Sequence, residues 1–185
     1  ANFMDYLKHT PINDVIGKLP EKLATEGNGN VKIHLKVPFK DPKHTEVKGI
    51  YHFDNNNVKF DLPIPLLSGV NGDLGFTQRG VEINNLGATI FNSQAKLTSG
   101  INENGKMWFK VFATNLDYQA LTKFYLQPFE SIVSGKADTL VSFQIGKHGI
   151  ENLDATSQLR GVTFYAPIPL AKSANESRAM SLNLQ

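Results

Sequence analysis

The chain is predicted to be mainly β, an antiparallel meander, on three observations. Apolar and polar residues alternate with a period of two through most of the 185 residues. Turn-forming residues break that alternation at short intervals. A helical period surfaces in only two places.

The first helical patch, near 2–18, covers FMDYLKH and PINDVIGKL. There Thr10 can cap, and Pro11 can take the first helical position, where no donor is needed. In GNVKIHLKVPF, Val31, Ile33, Leu35, Val37 and Phe39 point one way while Lys32, His34 and Lys36 point the other, so one face is wet and one apolar. KMWFKVFA opposes Met107, Phe109 and Val111 to Lys110, and TLVSFQI opposes Val141, Phe143 and Ile145 to Ser142 and Gln144. Turns are predicted at Asp54-Asn55-Asn56-Asn57, Asn71-Gly72, Arg79-Gly80, Asn102 to Gly105 and His148-Gly149, cutting the chain into strands of about six to ten residues. The second helical patch, near 117–133, has Asp117 as cap and places Leu121, Phe124 and Tyr125 on one face before Pro128 breaks the run.

A longer pattern overlies these elements. VKFDLPIPLLSG and VTFYAPIPLAKS each end an alternating run in Pro-Ile-Pro-Leu, and each follows a helical patch, a Gly and a long strand. Two approximate units result, 1–116 and an incomplete 117–185. The paired prolines Pro63 and Pro65, like Pro167 and Pro169, read as removing two donors from one strand edge, with a polyproline loop as the alternative.

Composition narrows function mainly by exclusion. Nineteen Lys+Arg against seventeen Asp+Glu leave a formal +2, which does not suggest a nucleic-acid partner. The absence of cysteine excludes disulfides, thiolate metal sites and a cysteine nucleophile. No Gly-x-Ser-x-Gly, His-Glu-x-x-His or phosphate loop occurs, SGKADT included, so no enzyme activity, cofactor or metal is expected. The five histidines lack ligand-like spacing, and Asp54 to Asn57 reads as a turn rather than a calcium loop. Asn175-Glu176-Ser177 is only a formal glycosylation triplet. ANFMDYLKHTP is unlike a signal peptide, and SLNLQ stops inside an alternating pattern, which reads as a fragment of a longer chain.

What remains is a large apolar face with two physical uses. It can be the core of a sandwich, or the inside of a trough that binds acyl chains by area at about 25 cal/mol per Å². A closed sandwich would serve as a scaffolding or partner-binding domain. Trp108, the single Trp, could form one exposed carbohydrate platform but no row of them.

The order of the elements bears on the choice. GVTFYAPIPLAKSANESRAMSLNLQ has the strand, Pro-x-Pro-Leu, Lys-Ser and Glu-x-Arg-x-x-x-Leu order of the YhdP branch of the AsmA-like proteins of Gram-negative bacteria. LPEKLATEGNGNVKIHLKVPF, VKGIYHFDNNNVKFDLPIPLLSGVNGDLGFTQRGVEINNLGATIFNSQ, with its step from Ala88 to Phe91, and MWFKVFATNLDYQAL also resemble that family's repeating unit. The resemblance implies a β-taco-like, open U-shaped groove in the periplasm, part of a protein anchored in the inner membrane that moves phospholipid towards the outer membrane. It further implies phospholipid, or another acyl-chain lipid, and adjacent repeats of the same full-length chain as partners. The groove lining would be Ile33, Leu35, Val37, Tyr51, Phe53, Phe60, Leu74, Phe76, Ile83, Phe91, Phe109, Val111, Val141 and Phe143.

Overall fold

A computed structural model describes residues 23–38, 46–61, 64–77, 79–146 and 149–184. The helical patch near 2–18, with Thr10 and Pro11, lies outside the described residues, as do Phe39, Pro63 and His148. The strands are β1 (Leu23–Lys36), β2 (Glu46–Phe60), β3 (Leu67–Thr77), β4 (Gly80–Ile90), β5 (Ser93–Ile101), β6 (Met107–Asp117), β7 (Val133–Gly146), β8 (Gly149–Ser157), β9 (Val162–Phe164) and β10 (Met180–Leu184). Helix α1 (Tyr118–Tyr125) and a 3₁₀ turn (Gln127–Ile132) join β6 to β7.

All ten strands form one sheet in the order β1-β2-β3-β4-β5-β6-β7-β8-β10, with β9 paired to β7. The described pairings are antiparallel, and each strand lies beside its predecessor except where β9 intervenes. β1 and β10 stand at opposite edges without pairing to each other, so the sheet stays open instead of closing into a barrel.

β9 has a simple relation to β8. Ser157 pairs with Thr139, and Val162 pairs with Gly135, so β9 continues the line of β8 along β7 after an irregularity at 158–161. There Leu159 and Gly161 adopt positive φ, 50° and 97°. Gly161 also packs directly on the backbone of β7 and leaves no room for a Cβ. The order β1, β2, Pro-Ile-Pro-Leu, β3 is thus matched by β7, β8 with β9, Pro-Ile-Pro-Leu, β10.

The strands are longer than the sequence predicts, reaching 15 residues in β2. Two predicted turns account for the difference. Asp54 to Asn57 and Asn71-Gly72 lie within β2 and β3, where the pairing register shifts instead of reversing. Asn55 (φ 54°) and Gly72 (φ 125°) take the left-handed conformation that a bulge needs as much as a hairpin does. Asn56, wholly buried, accepts from Asp54 N at 2.7 Å and donates to Glu26 O at 3.3 Å, satisfying backbone groups that the register shift frees. Asn71 accepts from Asn55 N at 3.0 Å and donates to Gly69 O at 2.9 Å. With shifts at Glu26/Asn28 in β1 and Ile83/Leu86 in β4, the irregularities run across the first four strands and bend each of them. Arg79, with Gly80 opening β4, and Asn102 to Gly105 do fall at the junctions between strands.

The prolines are corrected in the same way. Pro65 is buried in the connection from β2 to β3, and Pro167 and Pro169 lie past the end of β9, so none of the three faces a strand edge. The loop alternative holds for them. The second loop is folded back by Lys172, whose Nζ donates to Val162 O at 2.7 Å and Ser173 O at 3.0 Å.

One face of the sheet is consistently apolar. Its residues are buried across β2 to β5, although among the described residues no second sheet covers them. The sheet therefore curls about its own inner face into a U. Gly49, paired with Ile33 and Phe76, lies beneath the Phe76 ring, and Gly29 lies beneath the Tyr51 hydroxyl. A side chain at either position would displace a buried ring.

Helix α1 begins where predicted. Asp117 accepts from Ala120 N at 3.0 Å, and Asp117→Ala is expected to lower stability by about 1 kcal/mol, read as a urea midpoint shift without change of slope. Its buried face differs from the predicted one. Tyr118 and Thr122 are buried, and Leu121 packs on the core, but Phe124 and Tyr125 stay exposed. The anchor is polar: Tyr118 Oη and Thr139 Oγ1 share a hydrogen bond at 2.9 Å, and Thr122 Oγ1 donates to Tyr118 O at 2.8 Å. A helix of two turns held by those bonds cannot also bury the next face.

Candidate functional site: the inner face of the sheet

Cross-strand register brings the candidate residues together. Ile33 lies opposite Gly49 and Leu35 opposite Val47; Tyr51 lies opposite Leu74, Phe109 opposite Phe143, and Val111 opposite Val141. Phe53, Phe60 and Ile83 extend the same face. Two candidates fall outside it. Phe91 occupies the turn between β4 and β5 with φ 47°, its ring 5.5 Å from Phe124 and 6.1 Å from Tyr125, and Val37 lies just past the end of β1.

Burial divides the face. Across β2 to β5, Tyr51, Phe53, Leu74, Phe76 and Ile83 are no more than 6% exposed. Tyr51 and Phe53 meet edge to face at 4.7 Å. These side chains fill the bend with one another, as in any close-packed interior. The face is more open elsewhere. Phe109, Val111, Val141 and Phe143 are half-buried, and on the far edge Leu182 and Leu184 are 45% and 54% exposed. The Phe109 and Phe143 rings stack at 5.3 Å with planes 11° apart, presenting a flat apolar wall. At the other edge Ile33 is half-buried and Leu35 is 46% exposed.

Every Lys, Arg, Asp and Glu of the described strands occupies the alternate, outward position, and the buried Lys172, bridged to Phe164 beside β9, is held by Val162 O and Ser173 O. The polar groups of the inner face are bonded internally: Ser93 Oγ donates to Asn115 O at 2.8 Å and Ser157 Oγ to Asp138 O at 2.7 Å. Such a surface attracts hydrocarbon by area and offers nothing to polarise a bond. Among the described residues no three His, Asp or Glu side chains gather as a metal site, and no helix is long and apolar enough to cross a membrane.

Burial pushes the Tyr51 phenol above the ordinary tyrosine range, partly offset by its hydrogen bond to Thr25. The fold then favours the neutral phenol, so this contribution is complete below about pH 10 and is lost as pH rises through the raised value. Urea midpoints should fall above that pH. Tyr51→Phe should flatten the decline.

Sequence reasoning missed part of the open wall. Leu182 and Leu184 pair with Ala155 and Leu153 and continue it to the edge of the sheet. The alternation of SLNLQ carried that signal. Leu153 was hidden because the register shifts between Ser142 and Gln144, beside Asn152 at φ 48°, which breaks the period-two pattern of β8.

The YhdP protein family matches the chain over residues 1–185, its whole length. The chain belongs to the YhdP family. It is 24% identical over 184 residues to the intermembrane phospholipid transporter YhdP of Escherichia coli (strain K12), an alignment covering 97% of this chain and 14% of that relative. The chain thus spans about 14% of the length of the YhdP protein it matches. No solved structure matches it.

Proposed function

We propose that this chain is a section of a lipid conduit, whose inner face holds the acyl chains of phospholipid passing between the inner and outer membranes. The observation that carries the reading is an uncharged apolar face that stays half open along Phe109, Val111, Val141 and Phe143 and on to Leu182 and Leu184. The name of the YhdP relative, an intermembrane phospholipid transporter, agrees with it. No residue performs chemistry. The work is periplasmic, in a full-length protein anchored in the inner membrane, and adjacent repeats of that protein extend the groove beyond the two units 1–116 and 117–185.

Within the lining, the residues divide into two tasks. Tyr51, Phe53, Leu74, Phe76 and Ile83 hold the bend, while Ile33, Leu35, Phe109, Val111, Val141 and Phe143 meet the lipid. The nine strands of the main path, at about 4.8 Å apart, give a trough about 40 Å long, enough for a few lipids. An acyl chain gains about 25 cal/mol per Å² on leaving water, and an uncharged wall imposes no further selection along the chain.

The packed β2 to β5 region favours a second reading, a closed scaffolding domain that binds a partner protein at an exposed edge. Lipid extraction and native mass spectrometry of the purified protein separate the two. The conduit requires bound phospholipid and native-state fluorescence of a dye for exposed apolar surface. A lipid-free protein that leaves the dye dark is the closed scaffold.

A further inference from the structure

The outward side of the sheet carries an uneven charge at its upper rim. A cleft of about 260 Å³ opens there across β1 to β3, lined by the polar His34, Lys36, Glu46, Lys48, Thr77 and Arg79 together with Val47. Its volume lies below the roughly 300–1,000 Å³ of pockets that enclose whole drug-sized ligands. That space suits a small polar group better than an acyl chain.

Its cations lie on neighbouring strands. Lys48 lies across from His34 on one side and from Thr77, two residues before Arg79, on the other. Glu46 meets Lys36 at 3.5 Å, but among the described residues Lys48 and Arg79 have no ion-pair partner. Thr77 Oγ1 accepts from Arg79 N at 3.2 Å, which orders the turn and leaves the hydroxyl proton available to donate. The rim between β6 and β8 differs, since Lys106 and Glu151 neutralise each other there at 3.1 Å.

The cationic cleft adjoins the open apolar edge. Leu35 alternates with His34 and Lys36, and Val37, 49% exposed, follows at the rim. An anion over the rim would give Lys48 and Arg79 the counter-charge they lack while its apolar tail lay on Leu35 and Ile33. Charge-assisted bonds to phosphate oxygens are the strong ones available to these donors.

We propose that this cleft binds the phosphodiester of a phospholipid whose acyl chains lie on the inner face at β1, so that the groove reads the head group at one rim. The site rests on the conduit reading above. Its test offers the purified protein vesicles containing equal amounts of phosphatidylglycerol and diacylglycerol of matched chain length, with bound lipids counted by mass spectrometry. The protein should take the phospholipid in about tenfold excess, equivalent to one or two charge-assisted bonds. The exposed-rim variant Lys36→Gln/Lys48→Gln/Arg79→Gln should lose that preference and keep its total lipid. Lys110→Gln, on the outer face away from the cleft, should change neither.

Inorganic phosphate, titrated against the ring signals of His34, separates a lipid head group from the free anion. Phosphate that shifts those signals in a protein with no phospholipid preference would overturn the proposal in favour of a free-anion site. Lipid taken without preference, or with a preference that survives the triple variant, would overturn the head-group site and leave the conduit standing. A protein that takes neither lipid removes both.

Discussion

Phe143→Glu is expected to abolish acyl-chain binding while leaving the sheet folded. Phe143 is half-buried in the open wall, stacked on Phe109 at 5.3 Å, so a carboxylate there stays hydrated while the groove is empty. Bound lipid would have to strip that water. An uncompensated carboxylate against hydrocarbon costs several kcal/mol, and each 1.4 kcal/mol is about tenfold in affinity, so lipid occupancy should fall by about two orders of magnitude. Lost ring packing should lower stability by only about 1–3 kcal/mol. Phe143→Leu should keep the lipid, and Ser142→Glu, one residue away on the outer face, should leave occupancy unchanged. Extracted lipid per protein, measured beside thermal melting, checks all three.

Gly49→Val is expected to act in the opposite way, on the fold before the function. Gly49 sits between Ile33 and Phe76, and even a Cβ there would enter the buried Phe76 ring. Overpacking of that kind costs about 1–3 kcal/mol or more. The ring is the specific cause, so Gly49→Ala combined with Phe76→Leu should be less destabilising than the two single changes together. Urea unfolding of the four proteins in that cycle measures the coupling. Additive effects would place the constraint in the glycine backbone instead of beneath the ring.

The two substitutions mark what the sequence reveals and what it hides. Alternation in 31–37, 107–113 and 139–145 reads directly as one apolar face, because a strand reverses its side chains at every residue. The bends were not legible. Asn and Gly at 54–57 and 71–72 supply the same positive φ to a hairpin and to a bulge, and only the partner strand decides which forms. Reading them as turns splits β2 and β3, shortens the strands, and removes the feature that curls the sheet. The Pro-Ile-Pro-Leu phrases were legible as boundaries, since proline ends pairing, but strand edge and connection look alike until the neighbouring strands are placed.

The candidate lining shows the same limit. Its membership follows from period two, but its division into packed and open stretches depends on curvature, which is a property of many strands at once. Phe91 has the residue type of the lining but sits in a turn, held against Phe124 and Tyr125. The alternation of Leu182 and Leu184 is visible in SLNLQ, but only their register on β8 places them on the same wall.

Lipid should lie along the open stretches of the inner face, at β1 and from β6 to β10, and not on the outer face. Site-specific photocrosslinking in living cells tests this most directly, with the crosslinking residue placed in turn at Phe109, Val111, Val141 and Phe143, and at the outward Ile50 and Phe112 as controls. Phospholipid adducts are expected at the first four positions and none at the two outward ones. Adducts at Ile50 and Phe112 equal to those within, or none at any of the six positions, would contradict this placement of the lipid.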